Sequence, residues 1–461
     1  MRSIVDPTNA LGRGLDRIRA EYQVPDAFPA EVLAEAGQAA GKGFGDHVDR
    51  SDRPFVTLDP VSATDLDQAF AIEAGGSDFL LHYAIADVGW FVADGGAVDT
   101  EAWHRGTTLY LPNSRAGLYP PALGEGAASL LPDGPRPAVI FTVRIAADGD
   151  VALDGVERAM VRSQAKLAYE TVRDEQLPPG FREIAERIAA AEMRRGGARI
   201  DPPEQEVAPQ PDGGYDLRFR PRHEAEDRNA ALSLATNLAV ADLLLAHRTG
   251  LFRTMSEPHA GAIRRLRHTA RAFAIHWPKG LSLEKFERLL DPAEPKQAAM
   301  MAAVRRAGGG AAYEQFREGK RPWHAAVAET YAHVTAPLRR LADRYVVETA
   351  LALANGRPVP DSATAAFERL PKVMARAEAK AGQVERAVVD LAEAVMLAGR
   401  IGERFEAVVT DTDDRGDRIQ LCALPIVARL KADKVTPGDL VSVRLTGADP
   451  ATRRITFARL D

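Results

Sequence analysis

The chain has 461 residues, a formal net charge of −6 and a single cysteine. One cysteine excludes a disulfide framework and a zinc site made of cysteines alone. The net negative charge argues against a protein that coats nucleic acid non-specifically by bulk attraction. It does not argue against an RNA enzyme, because a phosphate-binding surface need only be locally basic. The first residues carry charges throughout and no run of about 18 apolar residues occurs, so we expect a cytoplasmic protein without a membrane segment. We also expect a monomer.

Residues 1–50 are predicted to be a short helical segment. In VPDAFPAEVLAEA, a proline-started amphipathic helix would bury Phe28, Val32 and Leu33. From 54 to about 160 the pattern favours strands, including FVTLD, DFLLHYAIADV and PAVIFTVRIA, with one helix that includes Glu101 to Arg105.

Helical patterns dominate the middle of the chain. They cover residues 160–200, residues 223–249 and a long stretch from Pro371 to about 400. The last 60 residues alternate short apolar runs with turns, which is typical of a five-stranded barrel of the OB type.

Three aspartates are predicted to lie close together in FVTLDPVSATDLDQA. Pro60 should end the first strand and leave Asp59 at its terminus. If Asp65 and Asp67 lie on extended backbone, their carboxylates point the same way, roughly 6–7 Å apart. Grouped carboxylates are costly unless a cation neutralises them, so the pattern indicates a site for Mg²⁺, Mn²⁺ or Ca²⁺. The alternative is a solvated, aspartate-rich turn.

The same stretch resembles the catalytic signature of the ribonuclease II and ribonuclease R family, T-[IL]-D-x-x-x-[AT]-x-D-x-D-D-A. The resemblance implies a processive, Mg²⁺-dependent 3′→5′ exoribonuclease, with Mn²⁺ as an alternative ion and four aspartates around the metals. Asp59, Asp65 and Asp67 match the first three aspartates, whereas the fourth position holds Gln68. A glutamine oxygen can coordinate a metal but brings no charge, so we expect weaker Mg²⁺ binding or one poorly held ion.

A second stretch of the resemblance is HYAIADVGWFV followed by RGTTLYLP. It implies that Tyr110 stacks on the base at the RNA 3′ end, a contact that tolerates any sequence because every base has a π face. The alternative is a half-buried tyrosine of a strand. The family's second stacking aromatic has no counterpart near Pro202.

The stretch YAHVTAPLRRLAD resembles the family pattern Y-x-H-x-T-S-P-I-R-R-Y-x-D. The resemblance implies that Arg339 is the catalytic arginine, which neutralises charge on the scissile phosphate. Arg340, His333 and Thr335 are assigned to RNA binding. Pro337 is predicted to begin a helix, which would put backbone N–H groups beside the arginine pair.

Glu385 matches a family glutamate that faces the scissile region, and the alternative is an ordinary helix glutamate paired with Arg386. Two acidic residues usual in the family are Ala230 and Ala231 here. Further candidates for a phosphate-binding surface are basic side chains in two helices and in the barrel: Arg264, Arg265, Arg267, Arg271, Arg344, Arg429, Lys431, Lys434 and Arg444.

The sequence therefore predicts an α+β protein, with a barrel-like central sheet wrapped by helices and a C-terminal OB-type barrel. We expect a helical segment at 1–50, a catalytic domain at 51–400 and an RNA-binding barrel at 401–461. The predicted activity is hydrolysis of single-stranded RNA from its 3′ end to nucleoside 5′-monophosphates. The alternatives are a weakened or inactive RNA-binding homologue and a metal-dependent DNA exonuclease.

Overall fold

A computed structural model describes residues 4, 6, 8–198, 202–210, 214–292, 294–413, 416–431 and 435–460. The helices of this part of the chain are α1 Ala10–Glu21, α2 Ala30–Ala40, α3 Val88–Phe91, α4 Ala97–Arg105, α5 Phe181–Arg195, α6 Glu224–Ala246, α7 Ala260–Ala272, α8 Leu283–Glu287, α9 Pro295–Ala307, α10 Leu341–Ala354 and α11 Asp361–Leu397. The strands are β1 Val48–Asp49, β2 Phe55–Asp59, β3 Gln68–Gly75, β4 Asp78–Ala86, β5 Leu109–Leu111, β6 Ser114–Ala116, β7 Arg136–Ile145, β8 Val151–Val161, β9 Ser163–Ala168, β10 Gln205–Pro209, β11 Tyr215–Phe219, β12 Leu251–Met255, β13 Ala311–Gln315, β14 Arg404–Asp413, β15 Gly416–Leu421, β16 Val427–Leu430, β17 Leu440–Asp449 and β18 Arg454–Arg459.

A seven-stranded sheet with the order β1-β8-β7-β4-β3-β2-β9 forms the centre of the larger unit. Its inner strands are antiparallel, whereas β1 joins β8 and β9 joins β2 in parallel. The last residues of β4 and the first residues of β3 are buried in succession, as expected for strands covered on both faces. Asp59 ends β2 and Gln68 begins β3, so the predicted site lies at this buried end of the sheet.

Helix α6 packs against β7 and β8 and closes one face of this sheet. Its middle is buried on every side, which explains why it is apolar all round rather than along one stripe. The helix is long and apolar enough to cross a membrane, but 67% of its apolar window is buried inside the protein.

Three of the predicted helix starts are wrong. The helix predicted from residue 160 begins at Phe181, because residues 163–168 form strand β9 beside β2. Helix α10 begins at Leu341 rather than Pro337, because residues 337–339 form a turn and Arg340 is extended. Helix α11 begins at Asp361, so Pro371 lies inside it. Of the side chains predicted to be buried around α2, Val32 is buried and Phe28 is partly buried, whereas Leu33 is 49% exposed; Ala36 and Ala39 complete the buried face of α2.

The last strands form an antiparallel sheet with the order β16-β15-β14-β17-β18. Alternate residues of β15 and β17 are buried, and β16 lies against β18, so the sheet curls into a nearly closed barrel. The α+β class with an OB-type barrel is therefore confirmed. The 414–415 turn and Lys434 lie outside the described residues.

Helix α1 shares a hydrophobic core with this barrel. Leu11, Leu15 and Ile18 of α1 cluster with Leu391 of α11 and with the buried side chains of the barrel. A separate core unites the sheet with α6 and α10. The N-terminal helix thus packs with the C-terminal end of the chain.

Candidate active site

The segment between β2 and β3 carries the aspartates and is fixed by backbone hydrogen bonds. Leu66 is fully buried, donates its N–H to Ser129 Oγ at 2.9 Å and accepts from the Leu130 N–H at 3.0 Å. The Asp67 carbonyl accepts from the Ala86 N–H at 2.9 Å. Because a buried leucine and neighbouring strands hold this segment, Asp65 and Asp67 have fixed positions although neither lies in a strand.

Asp67 connects the two motifs of the sequence. Its Oδ1 accepts from the Leu338 N–H at 2.7 Å, and its Oδ2 accepts from Arg339 Nε at 2.9 Å. Burial raises the pKa of the Asp67 carboxyl to about 7, although Arg339 and the Leu338 N–H oppose that rise. The side chain of Arg339 is 46% exposed, so it can be reached from outside the protein.

Asp65 is held by the short hairpin of β5 and β6. Its Oδ1 accepts from Arg115 at 2.7 Å and its Oδ2 accepts from the Tyr110 hydroxyl at 2.8 Å. Tyr110 and Arg115 are direct cross-strand neighbours in the hairpin. The Tyr110 residue is nevertheless 55% exposed, which leaves an aromatic surface open next to the carboxylates.

Gln68 and Asp59 differ in how their oxygens are used. Gln68 is buried and its Oε1 accepts from the Tyr83 hydroxyl at 2.7 Å. Asp59 Oδ2 is buried and has no hydrogen-bond partner among the described residues. Burial raises the pKa of Asp59 to about 6, with Arg339 lowering it and Asp65 raising it further.

A divalent ion needs oxygens that are not already committed to other cations. In the part of the chain that the structure describes, no group of three or more Asp, Glu, His or Cys side chains is arranged to hold a metal. The carboxylates of Asp65 and Asp67 are each paired with a guanidinium. The unpaired oxygen of Asp59 is a donor of the kind that Mg²⁺ prefers, so these residues fit one ion more readily than two.

The second motif ends in a turn at residues 337–339, directly before α10. The Ala336 N–H donates to Asp343 at 2.8 Å, and the Arg339 carbonyl accepts from the Thr108 N–H at 3.0 Å. These contacts hold residues 336–340 out of a helix, which is why α10 starts late. Asp343 also pairs with the Arg340 guanidinium at 2.6 Å.

His333 and Thr335 lie behind the arginines. His333 contacts the Tyr313 hydroxyl at 2.9 Å, and burial together with Arg340 holds its pKa well below its usual value, so the imidazole is neutral. Thr335 is buried and shares a hydrogen bond with Ser233 at 2.9 Å. Their assignment to RNA binding stays a prediction.

Glu385 is not brought to the aspartates. It is exposed on α11, and the charged groups that act on its pKa are Glu204, Arg305 and Arg386. Glu378 lies two turns earlier on the same helix and forms an ion pair with Arg253 at 2.9 Å. Arg253 in turn lies over the Tyr313 ring. The Arg253 N–H also donates to the Tyr331 carbonyl, so Glu378 is linked to the second motif, and the sequence analysis missed it.

Two of the proposed surface arginines have structural roles. Arg344 is 1% exposed and pairs with Asp99 at 2.7 Å. Arg267 lies over the Trp277 ring and donates to the carbonyls of Pro278 and Leu281. Arg264, Arg265 and Arg271 are exposed on α7, as a phosphate-binding surface requires.

A cleft of about 940 Å³ opens between the β10–β11 hairpin, the start of α6, α9 and the barrel. Pro202 lines it together with Phe219, an aromatic that the sequence analysis did not consider. The basic residues that line it are Arg218, Arg220, Arg222, Arg306 and Arg418. Acidic neighbours pair with some of them, for example Asp227 with Arg222 at 2.7 Å.

Comparisons with known proteins match both parts of the chain. The RNB domain matches residues 47–354, and the RNase II-type exonuclease C-terminal S1 domain matches residues 403–460. Ribonuclease R of Thermotoga maritima is 28% identical over 429 residues, which cover 86% of this chain and 59% of that protein. The chain thus spans about three fifths of the length of this relative.

Solved structures show the same fold. Mycoplasma genitalium RNase R in complex with ribose-methylated single-stranded RNA has a TM-score of 0.86 at 18% identity, covering 100% of this chain and 79% of that one. Yeast Ssd1, described as a pseudonuclease, has a TM-score of 0.70 at 15% identity, covering 96% of this chain and 57% of that one. The RNB match spans well over half of the chain, and with the C-terminal S1 match it identifies the protein as a member of the RNB-domain family of RNase II-type proteins.

Proposed function

We propose that the protein is a metal-dependent 3′→5′ exoribonuclease that hydrolyses single-stranded RNA to nucleoside 5′-monophosphates, with Mg²⁺ as its ion. The observation that carries the proposal is the contact between Asp67 and Arg339. It joins the aspartate motif to the arginine motif across 272 residues of sequence. Asp59, whose Oδ2 has no partner among the described residues, lies near enough for Arg339 to lower its pKa.

The side chains of this site divide the work of phosphodiester hydrolysis. Arg339 is fixed by Asp67 and offers its guanidinium to a phosphate, whose charge grows in the transition state. Asp59, whose Oδ2 has no hydrogen-bond partner among the described residues, is the residue that would anchor the ion. A bound divalent ion would act as a Lewis acid on the phosphate and lower the pKa of an attacking water.

Tyr110 would bind the 3′-terminal base of the RNA by stacking. Its ring is exposed while its hydroxyl is anchored on Asp65, so a terminal base can stack beside the aspartates without dependence on sequence. We further propose that residues 51–400 form the catalytic domain and that residues 401–461 form an RNA-binding barrel. The arginine-lined cleft next to the barrel would take the single strand.

A second candidate is a weakened or inactive RNA-binding homologue. It is favoured by the neutral Gln68 at the fourth aspartate position and by the pairing of Asp65 with Arg115. Retention of Asp59, Asp67 and Arg339 in one arrangement favours the enzyme.

The test is single-stranded RNA labelled at its 5′ end and incubated with the protein in Mg²⁺, Mn²⁺ or EDTA. We expect a ladder that shortens from the 3′ end with either metal and stops in EDTA and in Asp67→Asn, because that variant loses the anion that fixes Arg339. A DNA strand of the same sequence should persist. RNA that is bound but never shortened supports the binding homologue, and equal loss of DNA supports a DNA exonuclease.

A further inference from the structure

The starting observation is the set of contacts that Arg115 makes. Its guanidinium donates to Asp65 at 2.7 Å and to the Thr64 hydroxyl at 2.7 Å, and it also pairs with Glu125. Thr64 in turn donates to Glu125 at 3.1 Å. The side chains of Arg115 and Asp65 are only 21% and 12% exposed, so the pair is shielded from most solvent.

These contacts form a closed unit beside the other two aspartates. Arg115 gives its charge to two carboxylates at once, and Asp65 uses its second oxygen to accept from Tyr110. A low-exposure pair of this kind is screened less than a surface ion pair and is therefore hard to displace. Both carboxylate oxygens of Asp65 therefore already accept a hydrogen bond, one from Arg115 and the other from Tyr110.

Charge balance points in the same direction. Arg115 compensates Asp65 in part, because Glu125 shares its charge, and Arg339 compensates Asp67; neither contact needs an added ion. Gln68 contributes no charge, and its oxygen accepts from Tyr83. Asp59 alone of this group keeps a buried oxygen without a partner among the described residues. A second divalent ion would have to enter beside two guanidinium groups, which would repel it.

We propose that Arg115 is a positioning residue that takes the place of a second divalent ion by holding Asp65, so that the centre binds one ion, anchored on Asp59. The inference rests on the proposed metal-dependent function and specifies how many ions the site takes. The hairpin would then have two roles, because Arg115 and Tyr110 are cross-strand neighbours in β5 and β6. Arg115 positions Asp65, and Tyr110 presents the exposed ring to the RNA.

The test counts Mn²⁺ ions bound to the full chain without RNA, by equilibrium dialysis and by the electron paramagnetic resonance signal of free Mn²⁺. We expect one ion per chain in the wild type and two in Arg115→Met, because the neutral side chain leaves Asp65 and Glu125 free to bind a cation. Arg144→Met is the matched control. It removes an arginine of β7 that pairs with Asp154 of β8, at the end of the central sheet opposite to the aspartates, and it should keep one ion.

Thermal unfolding gives a second readout. Arg115→Met should melt lower than the wild type in EDTA, because two carboxylates lose their cation, and Mn²⁺ should restore more of its melting temperature than it adds to the wild type. Arg115→Lys keeps a positive charge and should bind one ion. If Arg115→Met does not fold, the ion count of the wild type still tests the inference, because two ions or none would overturn it.

A wild type that binds two ions or none overturns the inference, and so does a folded Arg115→Met that still binds one. The RNA assay is read separately. A wild type that binds two ions and shortens RNA refutes the one-ion inference but supports the exoribonuclease. A wild type that binds one ion without shortening RNA supports the one-ion inference but refutes the exoribonuclease.

Discussion

Tyr110 combines an exposed ring with a buried anchor, and the two can be separated by mutation. Tyr110→Phe keeps the ring and loses the hydrogen bond to Asp65, whereas Tyr110→Ala loses both. Base stacking is worth about 1–3 kcal/mol, so we expect Tyr110→Ala to bind single-stranded RNA roughly 5- to 150-fold more weakly. Tyr110→Phe should bind within about threefold of the wild type.

Fluorescence anisotropy with a labelled RNA in EDTA measures this without hydrolysis. Wild-type affinity in Tyr110→Ala would show that the exposed ring is not part of the RNA contact. Equal weakening in both variants would instead assign the effect to the hydroxyl and the position of Asp65.

The identity of the site residues was only partly accessible from the sequence. Asp59, Asp65 and Asp67 are within nine residues of each other, so a strand ended by Pro60 was enough to predict that they lie close together. Arg115 pairs with Asp65, which is 50 residues away in the sequence. The contact depends on the register of the hairpin that the three-residue strands β5 and β6 form. No local pattern encodes that register.

The choice between Glu378 and Glu385 shows a second limit. Seven residues are close to two helical turns, so both side chains lie on one face of α11, roughly 10 Å apart along its axis. Periodicity alone cannot say which of them reaches the second motif. The contact of Arg253 with Glu378 decides it, and that contact requires the folded chain.

At the scale of elements, Glu393 connects α11 to the barrel and to the β10 strand. The side chain is 3% exposed, and its Oε1 accepts from the Val427 N–H at 2.9 Å and from Gln205 at 2.7 Å. Burial raises its pKa to about 8 from an ordinary value of 4.5. The folded protein therefore keeps a proton at pH values where the unfolded chain has released it.

This predicts a loss of stability with rising pH. Because the folded state binds the extra proton between pH 4.5 and about 8, the free energy of unfolding should fall across that window, by at most about 1.4 kcal/mol per pH unit, and level off above it. Glu393→Gln keeps an oxygen for both donors and does not titrate. In urea unfolding at pH 5.5, 7 and 8.5, the free energy of unfolding of Glu393→Gln should increase relative to that of the wild type as the pH rises. A constant difference between the two proteins would contradict the assignment.

Element boundaries were harder to predict than element types. The strands β2, β4, β7 and β8 follow from apolar runs bounded by turn residues, and helix α6 follows from apolar periodicity. Pro371 misled the prediction of α11, because a proline inside a helix costs about 3 kcal/mol. Burial of Ala363, Phe367 and Leu370 before it extends the helix regardless. Strand β9 was predicted as helix, and its pairing with β2 is a long-range contact.

At the scale of the whole molecule, the order of the parts along the chain differs from their arrangement in space. The aspartate motif and the arginine motif are far apart in sequence and meet at Asp67. The first helix packs with the last strands, where Glu21 also pairs with Arg453 at 2.7 Å. The α+β class and the terminal barrel could be predicted from local patterns, whereas these long-range contacts could not.

The site at the meeting of the two motifs is the central claim, and Asp59→Asn tests it most directly. Single-turnover degradation of 5′-labelled single-stranded RNA should fall by at least about 100-fold in Asp59→Asn, because the unpaired oxygen that anchors the ion loses its charge. RNA affinity, measured in parallel, should stay within about threefold. Asp78→Asn, at the start of β4, should degrade RNA like the wild type. Wild-type degradation by Asp59→Asn, or a wild type that binds RNA without shortening it, would contradict the account.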